Sequence, residues 1–320
     1  MPATFRQHGA LVGLSATELL RQPVCFLLTL TSVAVTVLLP LTASIQLGQQ
    51  GNVARDGALA AELVFGVILA GYAACTTLHN ECRTGTILTL LSKPVSRSAL
   101  FFAKFLSVTA ILLLFVFEST AATLLGTRLS PVFFEFDSFG LLLVVLIPLA
   151  TFLPAAALNF FTGRSFVFWA HVFLANALAL AVIAISFVDR QGQHIPFGSL
   201  MDWPLARASG LEGLGLILLA AIALSLATRL NTSPTVAILA LILFAGLISD
   251  YLMSRIPRCP ALVFSLRALI PDMQTFWPAE RLTGDGVITF TLLRQSAIYA
   301  VLYTAGILCL GLASFRNRQF

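Results

Sequence analysis

The chain has 320 residues, of which 58% are hydrophobic and only 10% charged, with a net charge of +5 and a mean hydropathy of +0.94. Soluble domains carry about 25% charged residues, so this sequence has too little polar surface to cover a water-soluble globule. The basic balance comes without a basic stripe interleaved with aromatics, which argues against a nucleic-acid partner and for a charge set by membrane topology.

A helix that crosses the hydrocarbon core needs about 20 predominantly apolar residues. Runs of that kind, bounded by charge or turn residues, fall at 23–46, 58–78, 105–126, 139–160, 166–188, 211–227, 235–253 and 297–315, which predicts about eight spans. The run at 211–227 is the shortest, near the lower limit of about 17 residues, and is rich in Ala and Gly. The first run is too long and too late for a cleaved signal peptide and is expected to be retained. No tandem repeat or soluble module interrupts the series. The expected fold class is therefore all-α, a polytopic integral membrane helix bundle, with residues 1–320 forming one domain.

An even number of spans puts both termini on one side. That side receives Arg6, Arg21, Arg83, Lys93, Arg97, Lys104, Arg164, Arg229, Arg316 and Arg318 against Glu18 and Glu81, so the positive-inside rule makes it cytoplasmic, as for a multi-pass protein of a plasma or inner membrane. The opposite loops mix arginine with acidic residues. The longest of them, 254–294, carries a short apolar stretch at 261–270 before Pro271, too short to span and a candidate re-entrant helix.

Cys25, Cys75 and Cys309 fall inside spans, Cys82 on the cytoplasmic side and Cys259 on the other, so no outward pair is available for a disulfide. His79 and Cys82 lie one helical turn apart but lack a third ligand. Neither a His-Glu-x-x-His nor a Gly-x-Ser-x-Gly pattern occurs, and no nucleophile stands beside a base. The chain is expected to hold no catalytic, metal or cofactor site of its own.

Both lysines of the protein lie in one loop, 79–104, between the second and third spans. Glu81 ends a span, Gly85 permits a turn, and residues 86–91 can form a short helix with one apolar face. Lys93-Pro94 stops it, because the residue before proline is pushed out of the α region. Ser96 then offers an N-cap for the helix leading into the third span. The arrangement suits a short helix lying across the inner membrane surface.

This loop resembles that of the permease subunits of type 2 ABC exporters, which has the form Glu-x-x-x-Gly-Thr, then Leu-Leu-Ser-Lys-Pro-Val-Ser-Arg, then a Lys several residues on. The match falls at Glu81, Gly85, Thr86, Leu90, Leu91, Ser92, Lys93, Pro94, Val95, Ser96, Arg97 and Lys104. The resemblance implies that residues 81–97 form a coupling helix against a separate ATP-binding cassette subunit, with Glu81, Gly85, Thr86, Lys93, Pro94, Arg97 and Lys104 as its coupling residues. It implies that ATP and Mg are bound by that partner and not by this chain, and that a second permease copy or a paralogue completes the pathway. Residues 16–23 are similar to the stretch around the interfacial helix that precedes the first span in these permeases, which places that helix at 1–22. The family core has six spans, so an extra pair is expected between 139 and 227. Consistent with a partner ATPase, no Gly is followed by Lys anywhere, so the Gly-x-x-x-x-Gly-Lys-Ser/Thr phosphate loop is absent.

Glu118 lies well inside the third span, where a charge costs on the order of 2.5–3.5 kcal/mol on insertion scales. It is a candidate pathway carboxylate or, more simply, a protonated or hydrogen-bonded packing residue. Asn159, His171 and Asn176 are candidate interhelical hydrogen-bond partners, and Pro40, Pro148 and Pro154 are candidate kinks. Two other classes compete with an ABC permease. An ion-driven secondary transporter would show several intramembrane ionisable groups, whereas Glu118 is nearly alone here, and a membrane scaffold would share the hydropathy but have no use for the loop motif.

Overall fold

The computed structural model describes residues 2–42, 50–81, 96–129, 137–249, 251, 270–279 and 288–316. The expected loop helix at 86–91, the cysteines Cys82 and Cys259, and nearly all of the candidate re-entrant stretch lie outside these residues.

Among the described residues there are nine α-helices and no named strand. They are α1 (Pro2–Leu20), α2 (Pro23–Thr42), α3 (Gln50–Ala74), α4 (Arg97–Leu129), α5 (Ser138–Thr162), α6 (Phe166–Ile185), α7 (Trp203–Ala227), α8 (Thr232–Leu247) and α9 (Phe290–Arg316). The chain is thus an all-helical, polytopic membrane protein. Seven of these helices, α2 to α7 and α9, are long and apolar enough to cross a membrane. The eighth expected span, α8, has 16 residues, about 24 Å at 1.5 Å per residue, which is shorter than a hydrocarbon core of about 30 Å.

The shortest run, 211–227, belongs to a helix of full spanning length. Apolar residues begin in earnest only at Leu211, but α7 starts eight residues earlier at Trp203 and reaches 25 residues. Hydropathy marks where lipid solvates a helix, whereas backbone hydrogen bonding carries the helix on through Arg207, Ser209 and Glu212. The same reason starts α4 at Arg97, ahead of the apolar run at 105.

The helices divide into two compact units. One comprises Met1–Ala16, Val67–Leu112 and Leu211–Phe320, and the other Thr17–Gly66 and Leu113–Gly210. In the first, α7 is fastened to α9 by hydroxyls: Ser225 Oγ donates to the Ile307 carbonyl at 3.2 Å, and Thr228 and Ser314 hydroxyls meet at 3.1 Å. In the second, α2 packs closely on α4. The Ser32 and Ser119 hydroxyls lie 3.4 Å apart, and a Cβ on Gly126 would stand 2.7 Å from the Thr36 carbonyl oxygen. Only glycine permits that approach, the small-residue packing typical of helices in lipid.

The second unit also holds the α5–α6 hairpin. Gly163, at φ 66, is the left-handed C-cap of α5 and donates its N–H to the Asn159 carbonyl at 2.9 Å, a position that favours glycine. Pro148 and Pro154 lie inside α5, and Pro40 inside α2, without ending either helix. The outward face of α5 exposes Val145, Leu149, Leu153, Phe160 and Phe161, as a lipid-facing helix does. Of the three candidate interhelical hydrogen-bond partners, the two asparagines bond locally and the histidine reaches another helix through its ring, not a hydrogen bond. Asn159 Nδ2 donates to the Arg164 carbonyl and Asn176 Nδ2 to the Val172 carbonyl, both at 2.7 Å, while the His171 ring packs edge-on against Phe26.

Candidate coupling site at the α3–α4 junction

Both sides of the lysine-bearing loop belong to the first unit. On the entering side α3 widens into a π-helical turn, Cys75–His79, whose Cys75, Thr77 and Leu78 are buried. A π turn misaligns the backbone ladder and recurs at functional sites. Here the Thr77 hydroxyl supplies extra bonds to the Ala73 and Ala74 carbonyls, at 2.9 and 3.2 Å. Glu81 follows at the helix end and is buried.

On the leaving side Ser96 does what its position predicts. Its hydroxyl accepts the Ala99 N–H at 3.2 Å, the N-cap bond that starts α4. Arg97 is exposed and donates from Nη1 to the Arg316 carbonyl at 3.0 Å. That carbonyl is among the last of α9, where a cation is favoured by both the orphan acceptors and the helix dipole. Two turns further into α4, Lys104 is 2% exposed. Its ammonium forms an ion pair with Glu81 Oε1 and donates to Ser15 Oγ of α1 at 2.9 Å. One turn beyond, the Ser107 hydroxyl donates to the Val12 carbonyl of α1 at 3.0 Å. A buried ammonium is tolerated only when opposite charge and acceptors replace its lost water, and here two chain segments, ending in Glu81 and carrying Ser15, supply them. The base of the loop is thereby closed and tied to the amino-terminal helix.

Of the seven sequence-selected coupling residues, the structure brings Glu81 and Lys104 into direct contact and places Arg97 near them in sequence, at the start of the same helix. Gly85, Thr86, Lys93 and Pro94 lie outside the described residues. The role of Ser15 carried no sequence signal, because a serine in an amphipathic helix is unremarkable until the lysine it faces is known.

Glu118 is fully buried in α4, and neither of its oxygens has a hydrogen-bond partner among the described residues. It has company that the hydropathy reading passed over. Glu62 in α3 and Glu212 in α7 are also fully buried within membrane-spanning helices. The Ser209 hydroxyl stands beside the Glu62 carboxyl. A single carboxylate scarcely lowers the mean hydropathy of an apolar window, so only an explicit search for charges within spans would have found both.

Seven helices long and apolar enough to cross a membrane define a polytopic helical membrane protein. The family model described as ABC-2 family transporter protein matches residues 19–190, more than half of the 320, and includes the whole α3–α4 junction. The chain belongs to that family. Among curated proteins none matches it.

Proposed function

We propose that this chain is the membrane-spanning permease of an ATP-driven exporter, which couples ATP hydrolysis in a separate cassette subunit to movement of a substrate across a plasma or inner membrane. The observation that carries the reading is the buried Lys104–Glu81 pair held by Ser15. It closes the base of the segment that bears the coupling pattern and joins it to α1 and α4. A push delivered to residues 82–95 then reaches a rigid spanning helix instead of dissipating in a loose loop. ATP and Mg belong to the partner, the short apolar α8 makes the eighth crossing that puts both termini in the cytoplasm, and a second permease copy or paralogue completes the pathway.

The test is co-purification. The isolated chain is expected to hydrolyse no ATP, and activity is expected only with the cassette subunit. Arg97→Ala and Pro94→Ala should leave membrane abundance unchanged while reducing recovered cassette subunit and export. If both variants bind the subunit and export at the wild-type rate, the loop is only a positive-inside topology signal and the reading fails.

The buried carboxylates Glu62, Glu118 and Glu212 favour one rival, transport driven by an ion gradient, because intramembrane acids mark ion pathways. Export that continues without the cassette subunit and collapses with a protonophore identifies that rival.

A further inference from the structure

The second unit carries, on one side of α2, α5 and α6, a polar pocket and an apolar cavity that no part of the coupling reading uses. The polar pocket, about 550 Å³, is lined by Arg21, Gly163, Arg164, Ser165, Phe168 and Trp169. The chain builds it deliberately. The left-handed Gly163 turns the backbone, Asn159 Nδ2 holds the Arg164 carbonyl at 2.7 Å, and Ser165 caps α6 by accepting the Phe168 N–H. The Arg164 guanidinium lies 5.6 Å from the Trp169 ring centroid. Stacking on an indole fixes the plane of a guanidinium while leaving its N–H edge available to an anion. Arg21, from the α1–α2 turn, supplies a second exposed cation. Neither arginine enters an ion pair among the described residues.

The apolar cavity, about 180 Å³, is lined almost wholly by hydrocarbon, including Leu30, Val37, Ile147, Pro148, Leu174 and Leu178. An apolar cavity of about 150 Å³ already takes a benzene ring, so this one admits a stretch of alkyl chain. The two spaces are linked through aromatic rings. Phe152 lines the cavity and stacks on Phe166 at 6.3 Å, the residue that follows Ser165 of the polar pocket. Along α2, Leu30 lies about 13 Å from Arg21, and along α6, Leu174 lies about 15 Å from Arg164. Half a hydrocarbon core is about 15 Å. The cations therefore stand at headgroup level and the cavity at the depth of an acyl chain.

We infer that this groove binds one anionic phospholipid, its phosphate held between Arg21 and Arg164 and one acyl chain laid into the cavity between α2, α5 and α6. Charge complementarity selects the headgroup, and the apolar lining selects the tail. Trp169 sits at the level where indole rings anchor membrane proteins, beside both.

Native mass spectrometry of the full chain in detergent, titrated with phosphatidylglycerol, tests the site. Diacylglycerol with the same chains and free glycerol phosphate serve as the tail-only and head-only probes. One retained phosphatidylglycerol is expected, with both partial probes bound far more weakly. Arg21→Ala and Arg164→Ala should each weaken retention about fivefold, the weight of one juxtamembrane cation on an anionic lipid. Ala34→Phe, which fills the cavity from an exposed position, should weaken it without altering charge. All three positions lie at the surface, and equal thermal melts confirm that folding is intact. Diacylglycerol retained as well as phosphatidylglycerol makes this an apolar crevice only, glycerol phosphate bound as well makes it an anion pocket only, and wild-type retention in all three variants places the lipid elsewhere. Each of these outcomes overturns the inference.

Discussion

Arg128 and Asp137 bracket residues 130–136 in the second unit much as Lys104 and Glu81 bracket residues 82–95 in the first, but the partners recruited by the two buried pairs differ. Arg128 Nε donates to Asp137 Oδ2 at 3.0 Å and its Nη2 to the Val188 carbonyl at 2.7 Å, while Asp137 Oδ1 accepts the Gly140 N–H at 2.8 Å and so caps α5. One carboxylate pairs and caps at once, and a planar guanidinium fork fixes the angles between its acceptors. Lys104 has no fork. Its ammonium is a point charge on a flexible stem, shared between Glu81 and a serine hydroxyl of α1. The arginine pair pins one geometry, whereas the lysine pair keeps three segments together while tolerating small rearrangements among them. Under the coupling reading, the second property is what a force-bearing junction requires.

The largest effect that comparison predicts is at Arg128. Arg128→Met strands the buried Asp137 carboxylate and should cost about 3–5 kcal/mol, seen as a large fall in folded membrane protein and in the detergent melting temperature. A wild-type melt would remove the structural half of the contrast. Lys104→Met should cost toward the lower end, about 3 kcal/mol, since Glu81 keeps some access to solvent. Adding Glu81→Gln to Lys104→Met removes the stranded charge, so the double variant should melt above the single one, with export still impaired. If the double variant melts no higher, the two residues are not energetically joined and the closed loop base loses its meaning.

Much of this architecture is written in the sequence, for a physical reason: lipid leaves backbone polar groups no partner but the helix itself, so a long apolar run admits one conformation. The Ser96 cap was legible for the same kind of reason, since a hydroxyl before an apolar helical run meets an orphan N–H three residues on. The early start of α7 at Trp203 was not, because Arg207, Ser209 and Glu212 break the hydropathy without breaking the helix. Nor was the π turn at Cys75–His79, which no residue type announces. Arg128 and Asp137 fall between the apolar runs 105–126 and 139–160, where charges usually face water, and Arg128 finds its second acceptor at Val188, 60 positions away. The candidate site was legible only through its motif. Spacing alone does not say that Lys104 turns back to Glu81, because that contact needs α1 beside it.

The smallest effect separates capping from pairing. In α5 one residue, Asp137, does both, so its loss removes cap and ion pair together. In α4 the two tasks are divided, with Ser96 capping at the surface and Lys104 pairing in the interior. Ser96→Ala should therefore cost only about 1 kcal/mol, and that loss should stay within the first turn. Hydrogen exchange at the Ala99 amide is expected to quicken about fivefold, the factor that corresponds to about 1 kcal/mol. Exchange around Ser107 and Val12 should not change, because their bond is anchored a full three turns deeper. Ser96→Asp should restore protection, since a carboxylate accepts the same N–H and also favours the helix N-terminus. If Ser96→Ala instead loosens the Ser107 and Val12 region as strongly as Lys104→Met does, cap and clamp act as one unit, and the division of tasks that distinguishes the two ends of α4 does not exist.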